Sequence, residues 1–363
     1  MKNCSFPRPL FVQKIIFCAA MIAISHVAFA QGNDHKLNVV ATYSILGDWV
    51  HQVGGTDINL TVLVGRESDV HTFEPTPADA IALAEADVIF ENGLGLEYWL
   101  DKLYKASNSK AERVIISDGI AFLTASSYLE PRNKQQPLLD KKACKPCCCS
   151  CAHEDKEKQI DANKPAAVAN EASATESHHA HDHGEYDPHF WFDVNRAMIS
   201  VLTIRDTLAD IDEKHAAYYE ERANTYIASL VVLDNWIKKQ VSVLPKDQRI
   251  LVSNHDNLAY FAQRYHFCYL GSVLDSVTTD TQDPSAQKFA QLVDLIKANQ
   301  VRAVFGENIQ NPILIDQLAR EAGLPKPILL YTGALGKEGS EGSTYVDMMH
   351  YNVNAIVKAL NNK

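Results

Sequence analysis

The stretch YYEERANTYIASLVVLDNWIKKQV, residues 218–241, contains neither proline nor glycine. Apolar side chains recur in it every three or four positions, for example at Tyr226, Leu233 and Ile237, which is the spacing of one helical face. A helix of about 30 residues is about 45 Å long, because each residue adds about 1.5 Å. We therefore predict one long, rigid helix over residues 213–244 that links two lobes of the protein.

Short strand-like runs alternate with helix-like stretches on both sides of this helix. The runs before it are LNVVATYS (37–44), INLTVLVG (58–65), DVIFENG (87–93) and RVIIS (113–117). The runs after it are RILVSN (249–254), HFCYLGSV (266–273), VRAVFGEN (301–308) and PILLYTG (327–333). The helix-like stretches are about 76–86, 256–265, 285–299, 312–322 and 344–360. This alternation is typical of parallel sheets with helices on both faces. We predict an α/β fold with two similar lobes, each built on a four-stranded, mainly parallel sheet.

The predicted lobes are residues 31–212 and 245–363, on either side of the linking helix. The first lobe is interrupted at about 130–187 by a segment that is rich in Lys, Ala, Glu, Asn, Ser, Cys and His and has little apolar periodicity. Such a composition does not bury enough apolar surface to offset the entropy of the chain. We predict that this segment is a disordered insertion.

Residues 1–30 have the order of a secretory signal peptide. Basic residues precede the apolar run IIFCAAMIAI (15–24), and the A-x-A pattern AFA (28–30) follows it. We predict cleavage after Ala30 and export to the periplasm. Cys18 does not follow the small residues of a lipoprotein signal, so no lipid anchor is expected. No later run approaches the roughly 20 apolar residues that a membrane-spanning helix needs.

The charge and the cysteines restrict the partners further. The net charge of −11 argues against a nucleic-acid partner. Five of the eight cysteines are crowded into CKPCCCSC, as Cys144, Cys147, Cys148, Cys149 and Cys151. The crowding leaves two alternatives open, which are metal binding and local disulfides. Cys268 lies apart in a strand-like run and is predicted to be a small buried core residue.

Three histidines occur at positions where α/β proteins bind ligands. His71 and His255 follow the strand-like runs INLTVLVG and RILVSN, and parallel sheets bind ligands beyond the carboxyl ends of their strands. His189 lies in DPHFWFDV (187–194), where helical sequence resumes after the insertion. Each has aromatic neighbours, which would exclude water and fix the imidazole. Taken singly, each is more often a hydrogen-bonded histidine of a core or surface. Together they are candidate metal ligands.

The chain resembles the solute receptors of zinc and manganese ABC importers, the cluster A-I group of periplasmic binding proteins. The resemblance extends from about residue 37 to the C-terminus. It rests on VGRESDVHTFEPTPAD (64–79), ADVIFENGLGLE (86–97), DPHFWFD (187–193), SNHDNLAYF (253–261) and YVDMMHYN (345–352). It implies a metal site in a crevice between two lobes, with His71, His189 and His255 as ligands. It also implies a monomeric receptor whose partners are an inner-membrane ABC permease and its ATPase.

The resemblance also bears on the identity of the metal. Manganese receptors of this family have a carboxylate where this chain has His255, so the resemblance favours Zn²⁺ as the transported ion. Three neutral imidazoles suit Zn²⁺, whereas Mn²⁺ prefers more oxygen ligands. Many family members also have an aspartate ligand where Gly333 stands here. The predicted fourth ligand is therefore water, with Glu307 and Asp69 as outside candidates. Glu307 fits better as a hydrogen-bonding partner of a ligand.

A second group of histidines precedes His189 within the insertion. They are His178, His179, His181 and His183, and zinc receptors of the family often carry such a histidine-rich insertion at this place. We predict a low-affinity loop that captures zinc and raises its concentration near the crevice. The alternative is a solvated polar insert.

Three other functions remain as alternatives. They are a manganese or iron receptor of the same family, a periplasmic zinc buffer or chaperone, and a zinc hydrolase. A catalytic zinc also has three protein ligands and an open position. The chain has no HExxH motif, however, and no evident general base.

Overall fold

The structure is a computed structural model that describes residues 36–124, 186–274, 276–279 and 284–361. The predicted signal peptide, nearly all of the predicted insertion and the clustered cysteines lie outside these ranges. The predicted lobe boundaries likewise remain predictions. Within the described residues, no helix combines the length and hydropathy that a membrane span requires.

The first half of the chain builds a parallel sheet of four strands. The strands are β1 (Leu37–Tyr43), β2 (Ile58–Val64), β3 (Val88–Glu91) and β4 (Glu112–Ile115), in the order β2-β1-β3-β4. Helices α1 (Ser44–Gly54), α2 (Pro77–Glu85) and α3 (Leu100–Ser107) connect them. Strand β1 is buried from Val39 to Tyr43, because its two faces are both covered. The parallel four-stranded sheet predicted for this lobe is confirmed.

The loop between β2 and α2 carries His71. Helix α2 starts directly after this loop, with Pro77 in its first turn as predicted. The backbone N–H of Thr76 donates a hydrogen bond to Asp79 Oδ2 at 2.7 Å, which satisfies a free donor at the start of the helix. The sheet at one end and the capped helix at the other therefore fix the two ends of the loop.

The second half contains four more parallel strands. They are β5 (Ile250–Ser253), β6 (Cys268–Ser272), β7 (Phe305–Glu307) and β8 (Ile328–Leu330). The helices of this half are α6 (Ala259–Tyr265), α7 (Ala286–Ala298), α8 (Ile313–Ala322) and α9 (Tyr345–Asn361). These helices agree with the predicted ones to within a few residues. The α/β fold class is confirmed.

The second half differs from the prediction in how its strands pair. Strand β5 pairs with β6, and β7 pairs with β8, so the described residues form two sheets of two strands and not one of four. Strand β5 lies beside β7 but is not hydrogen-bonded to it as a ladder. Strands β7 and β8 have three residues each, and the β5–β6 register shifts between Leu251 and Val252. Such short and irregular strands form few ladder hydrogen bonds.

A long helix connects the two halves. Helix α4 (Val194–Ile211) is followed by a 3-10 turn (Glu213–His215) and then by the linking helix α5 (Ala216–Val241). The Asp212 carboxylate fixes the turn by accepting hydrogen bonds from His215 Nδ1 at 2.7 Å and from the Tyr219 hydroxyl at 2.9 Å. With 26 residues, α5 is about 39 Å long. It packs against α1 and α4 on one side and against α9 and α6 on the other. The predicted long helix is therefore present.

Cys268 departs from its predicted role as a core residue. It is disulfide-bonded and only partly buried, so that prediction was wrong. The physical reason is that Cys268 begins β6, which pairs with β5 alone among the described strands and so lies at a sheet edge.

Candidate metal centre

Three buried imidazoles meet at one point of the structure. His71 comes from the loop after β2, His189 from the segment before α4, and His255 from the end of β5. Their side chains are buried, with exposed fractions of 4%, 0% and 1%. Nε2 of His189 lies 3.2 Å from Nε2 of His71 and 3.2 Å from Nε2 of His255. The three residues are a group whose possible ligand atoms all lie within 4.8 Å of one another. The structure thus brings together the three histidines that the sequence singles out.

His189 is oriented by the residues immediately before it. Its backbone N–H and its ring Nδ1 both approach Asp187 Oδ1, at 2.9 and 2.8 Å. The backbone of this segment is held in turn by two side chains. The Tyr260 hydroxyl donates to the carbonyl of Asp187 at 2.8 Å, and the Asn92 amide donates to the carbonyl of Pro188 at 3.1 Å. The ring therefore has one fixed direction.

His255 is oriented by a carboxylate from the neighbouring strand. Its Nδ1 lies 2.6 Å from Glu307 Oε1, and its backbone N–H donates to the same oxygen at 3.2 Å. The other oxygen of Glu307 accepts hydrogen bonds from the Asn257 amide at 3.0 Å and from the Thr332 hydroxyl at 2.6 Å. Glu307 is therefore held on both oxygens, and it holds the ring.

These carboxylates decide which ring nitrogens are free. A neutral imidazole that donates its Nδ1 proton to a carboxylate has a lone pair on Nε2. With Nδ1 turned to Asp187 and Glu307, the neutral forms of His189 and His255 both direct an Nε2 lone pair at the same point, where the two nitrogens lie 3.2 Å apart. A cation at that point accepts both lone pairs, and in its absence a proton on Nε2 of His255 is donated to Nε2 of His189. A carboxylate behind each ligating histidine is also the usual arrangement of protein metal sites.

His71 is held differently. Its backbone N–H donates to Asp69 Oδ1 at 2.9 Å, and the carbonyl of Val70 accepts a hydrogen bond from Trp99 Nε1 at 3.1 Å. Its ring forms no ion pair with a carboxylate among the described residues. The position of His71 therefore depends on its loop more than on a partner of its ring.

Aromatic rings close the site from the sides. The Trp191 ring lies edge-on to His189, with centroids 5.1 Å apart, and its indole N–H donates to the carbonyl of Thr332 at 2.9 Å. Phe73 packs edge-on against Trp99, with centroids 4.8 Å apart, next to His71 in the chain. These walls keep bulk water from the imidazoles, as the neighbouring aromatic residues predict.

Neither carboxylate proposed as an outside candidate for the fourth ligand joins the cluster of nitrogens. Glu307 hydrogen-bonds His255, as expected of a residue that supports a ligand. Asp69 uses its second oxygen to accept hydrogen bonds from Thr279 and Gln310. Gly333 is buried, and a Cβ atom there would lie 2.7 Å from the end of the Ile309 side chain. The described residues thus supply three ligand atoms, all nitrogen.

The surroundings set different proton affinities for the three rings. Burial, together with the neighbouring histidines, lowers the pKa of His71 well below its usual value, and burial also lowers the pKa of His189. Burial acts against the charged form of His255 as well, but the Glu307 carboxylate outweighs it and raises the pKa of His255. The same interaction overcomes burial and lowers the pKa of Glu307. In the empty site, a proton is therefore held best on His255.

Comparison with known proteins gives relatives of the same length. The manganese-binding lipoprotein MntA of Halalkalibacterium halodurans is 28% identical over 357 residues, which cover 96% of this chain and 99% of that protein. MntA of Bacillus subtilis is 27% identical and is covered to 90%. Among solved structures, the periplasmic zinc-binding protein TroA of Treponema pallidum has a TM-score of 0.69 at 25% identity, with 90% of this chain and all of that chain covered. A manganese-bound periplasmic protein of Candidatus Liberibacter asiaticus, at 22% identity, shares the fold with a TM-score of 0.67.

This likeness runs along nearly the whole chain, and it identifies a metal-binding receptor of an ABC importer and not an enzyme. The hypothesis that the site is the catalytic centre of a zinc hydrolase is therefore rejected. The chain belongs to the family of the periplasmic component A of zinc-uptake complexes, whose family model matches residues 39–142 and 150–359. The resemblance seen in the sequence motifs is confirmed.

Sequence reasoning missed some of the residues that support the site. Asp187 lies in the motif DPHFWFD, and the sequence alone predicts no role for it. It precedes His189 by two residues and orients its ring. Asn257 and Thr332, which hold Glu307, were also missed. The spacing D-x-H, which occurs at both Asp69 and Asp187, was the available signal. The loop histidines at 178, 179, 181 and 183 lie outside the described residues.

We predict that metal binding displaces a proton from His255. Zn²⁺ needs the neutral ring, so affinity falls as the pH drops below the raised pKa of His255. In the empty protein, the His255–Glu307 pair stabilises the fold below the ordinary pKa of histidine, and this contribution is lost as the pH rises through the raised value. Glu307→Gln removes the largest cause of the raised pKa of His255 and should therefore reduce the proton release.

Calorimetry at pH 7 in two buffers with different ionisation heats measures this release directly. Wild-type protein should release more protons per zinc bound at the site than Glu307→Gln does. Exposed Glu220 provides the matched control, and Glu220→Gln should behave as wild type. Equal proton release by wild type and Glu307→Gln would contradict the assignment of the proton to His255.

Proposed function

We propose that the protein binds Zn²⁺ through Nε2 of His71, His189 and His255 and presents it to the permease of an ABC importer. The observation that carries this proposal is the convergence of His71, His189 and His255 at one buried point, with carboxylate partners on the Nδ1 side of His189 and His255. A cation at this point accepts one lone pair from each Nε2. Water completes the coordination, because the described residues offer no fourth ligand atom in the cluster.

The donor set supports zinc over manganese. Zn²⁺ is well served by three imidazoles in a tetrahedral arrangement, whereas Mn²⁺ favours carboxylate, carbonyl and water oxygens. Asp187 and Glu307 face the Nδ1 side of their histidines, so they support nitrogen ligands and are not ligands themselves. The curated relatives are named for manganese, and the solved structure of TroA is named for zinc. The names of the relatives are thus divided, and the proposal rests on the nitrogen ligands.

We predict that His255→Ala abolishes the tight zinc site. It removes one of three ligands and leaves Glu307 buried without its partner. Titration calorimetry should then show loss of the single high-affinity zinc, with only weak binding left. The control is His51→Ala, which removes an exposed histidine and should leave the tight site intact. Metal analysis of the purified wild type, with zinc, manganese, iron and copper in competition, should return one tightly bound zinc.

Three results would reject this assignment in whole or in part. One tight zinc retained by His255→Ala would place the site elsewhere. If the protein still bound most of its zinc after His71, His189 and His255 were replaced together, it would be a periplasmic buffer or chaperone. Manganese as the preferred ion in competition would leave the receptor class intact and reject zinc.

The histidine-rich part of the insertion is proposed as an auxiliary loop. His178, His179, His181 and His183 each offer a nitrogen, and their low-complexity surroundings impose no common geometry on them. Weak and rapid zinc binding follows from such a sequence, and it raises the local zinc concentration. We predict that deletion of residues 141–185 leaves the tight affinity nearly unchanged and slows zinc acquisition at low zinc. Loss of tight binding in the deleted protein would instead make the insertion the principal site.

We further propose that the receptor is released into the periplasm and is not lipid-anchored. Several relatives are named lipoproteins, but Cys18 here follows Ile15, Ile16 and Phe17 and not a run of small residues. An intact mass that corresponds to a chain starting at Gln31 is the expected result for the exported protein. A mass that includes an acylated cysteine would contradict release.

A further inference from the structure

The loop that carries His71 is bound to the second half of the chain through three partly exposed residues, Asp69, Thr279 and Gln310. We call these three residues the rim of the metal centre. Asp69 Oδ2 accepts hydrogen bonds from the Thr279 hydroxyl and the Gln310 amide, each at 2.6 Å. The other oxygen, Oδ1, accepts from the backbone N–H of His71 at 2.9 Å. One carboxylate therefore connects a ligand histidine of the first half to two side chains of the second half.

The same loop has two further contacts with the second half. Arg66 Nη1 donates to the carbonyls of Gly336 at 2.9 Å and Ser343 at 2.6 Å, and the backbone N–H of Glu67 donates to the carbonyl of Leu335 at 3.0 Å.

These exposed contacts differ from the buried ones between the halves. The backbone N–H of Tyr345 donates to Asp48 Oδ2 at 2.9 Å, and that of Leu335 donates to the Ser44 hydroxyl at 3.0 Å. Both of these contacts are buried and lie at the carboxyl end of β1 and the start of α1. Asp69, Thr279 and Gln310 are each partly exposed. Water competes with the exposed contact and not with the buried ones, so the rim is the place where the halves separate at the lowest cost.

The three ligands also differ in how easily they move. His189 and His255 have carboxylate partners on their rings, and their backbones are fixed by further hydrogen bonds. His71 has no such partner, and its loop includes the exposed residues 65–68. Because the imidazoles are almost completely buried, a metal ion leaves only if a ligand moves. His71 is the ligand whose ring is least restrained, and its loop is held to the second half by the partly exposed or exposed residues Arg66, Glu67 and Asp69.

We propose that Asp69 is a latch over the metal centre, whose hydrogen bonds to Thr279 and Gln310 hold His71 in place and must break before the metal is released. The inference rests on the proposed function, since it assumes that the three histidines hold the transported ion. Asp69 acts as a positioning residue, because it reaches the metal only through His71. The permease, on docking, has to break the hydrogen bonds of this rim. The buried contacts of Tyr345 with Asp48 and of Leu335 with Ser44 need not break.

The test removes the two side-chain groups that donate hydrogen bonds to Asp69 Oδ2. It leaves Asp69 and its hydrogen bond with the backbone N–H of His71 unchanged. The variant is Thr279→Val with Gln310→Ala, and the control is Gln317→Ala, which removes an exposed amide from α8. Zinc release is followed by stopped-flow transfer from the full-length loaded protein to an excess of a chromogenic chelator. Release should be faster in the double variant by about tenfold, the factor that corresponds to losing hydrogen bonds to one charged group. Gln310→Ala alone should give a smaller increase, and the control none.

Cobalt substitution separates a latch from a structural role. The d–d absorption of Co²⁺ in the site should be the same in wild type and variants, because the three nitrogen ligands are unchanged. Unchanged release rates in variants with an unchanged cobalt spectrum would refute the latch. A changed cobalt spectrum would also refute it, since these residues would then shape the coordination itself. A wild-type protein that takes up no zinc would refute the proposed function, and the latch with it.

Discussion

The structure depends on holding three imidazole nitrogens close together inside the protein. Nε2 of His189 lies 3.2 Å from Nε2 of His255 and 3.2 Å from Nε2 of His71. Asp187 and Glu307 fix the rings of His189 and His255 from behind, and the Asn257 amide and Thr332 hydroxyl fix Glu307 in turn. The candidate site is therefore already assembled by the protein alone, with its nitrogens directed at one point. Preorganisation of this kind lowers the cost of ordering ligands at the moment of binding.

Such a site needs a frame that holds the three imidazoles in place. The three ligands come from positions 71, 189 and 255, which only the tertiary fold brings together. The linking helix supplies part of the frame, because it packs against helices of both halves along a length of about 39 Å. Buried cross-connections supply the rest, including the Tyr345 hydroxyl, which donates to the carbonyl of Trp191 at 2.6 Å. The family and its solved relatives share this fold, so the same frame serves receptors named for zinc and for manganese.

Much of the fold and of the candidate site could be predicted from the sequence. The contacts that depend on tertiary structure could not. Helical periodicity indicates the linking helix, and the ends of apolar runs indicate His71 and His255. The contact of Glu307 with His255 joins residues 52 positions apart, and its geometry depends on β5 lying beside β7, which no local pattern encodes. Cys268 failed as a core prediction for a related reason, since an apolar run does not show whether its strand is central or at an edge.

The two carboxylates behind the ligands have a consequence for which ions the centre accepts. Asp187 and Glu307 together bear two negative charges next to neutral rings. A divalent ion would balance these two charges, whereas a monovalent ion would balance only one. Uncompensated charge is costly in a protein interior. At the proposed site, charge therefore favours divalent ions over sodium and potassium before size or ligand preference enters.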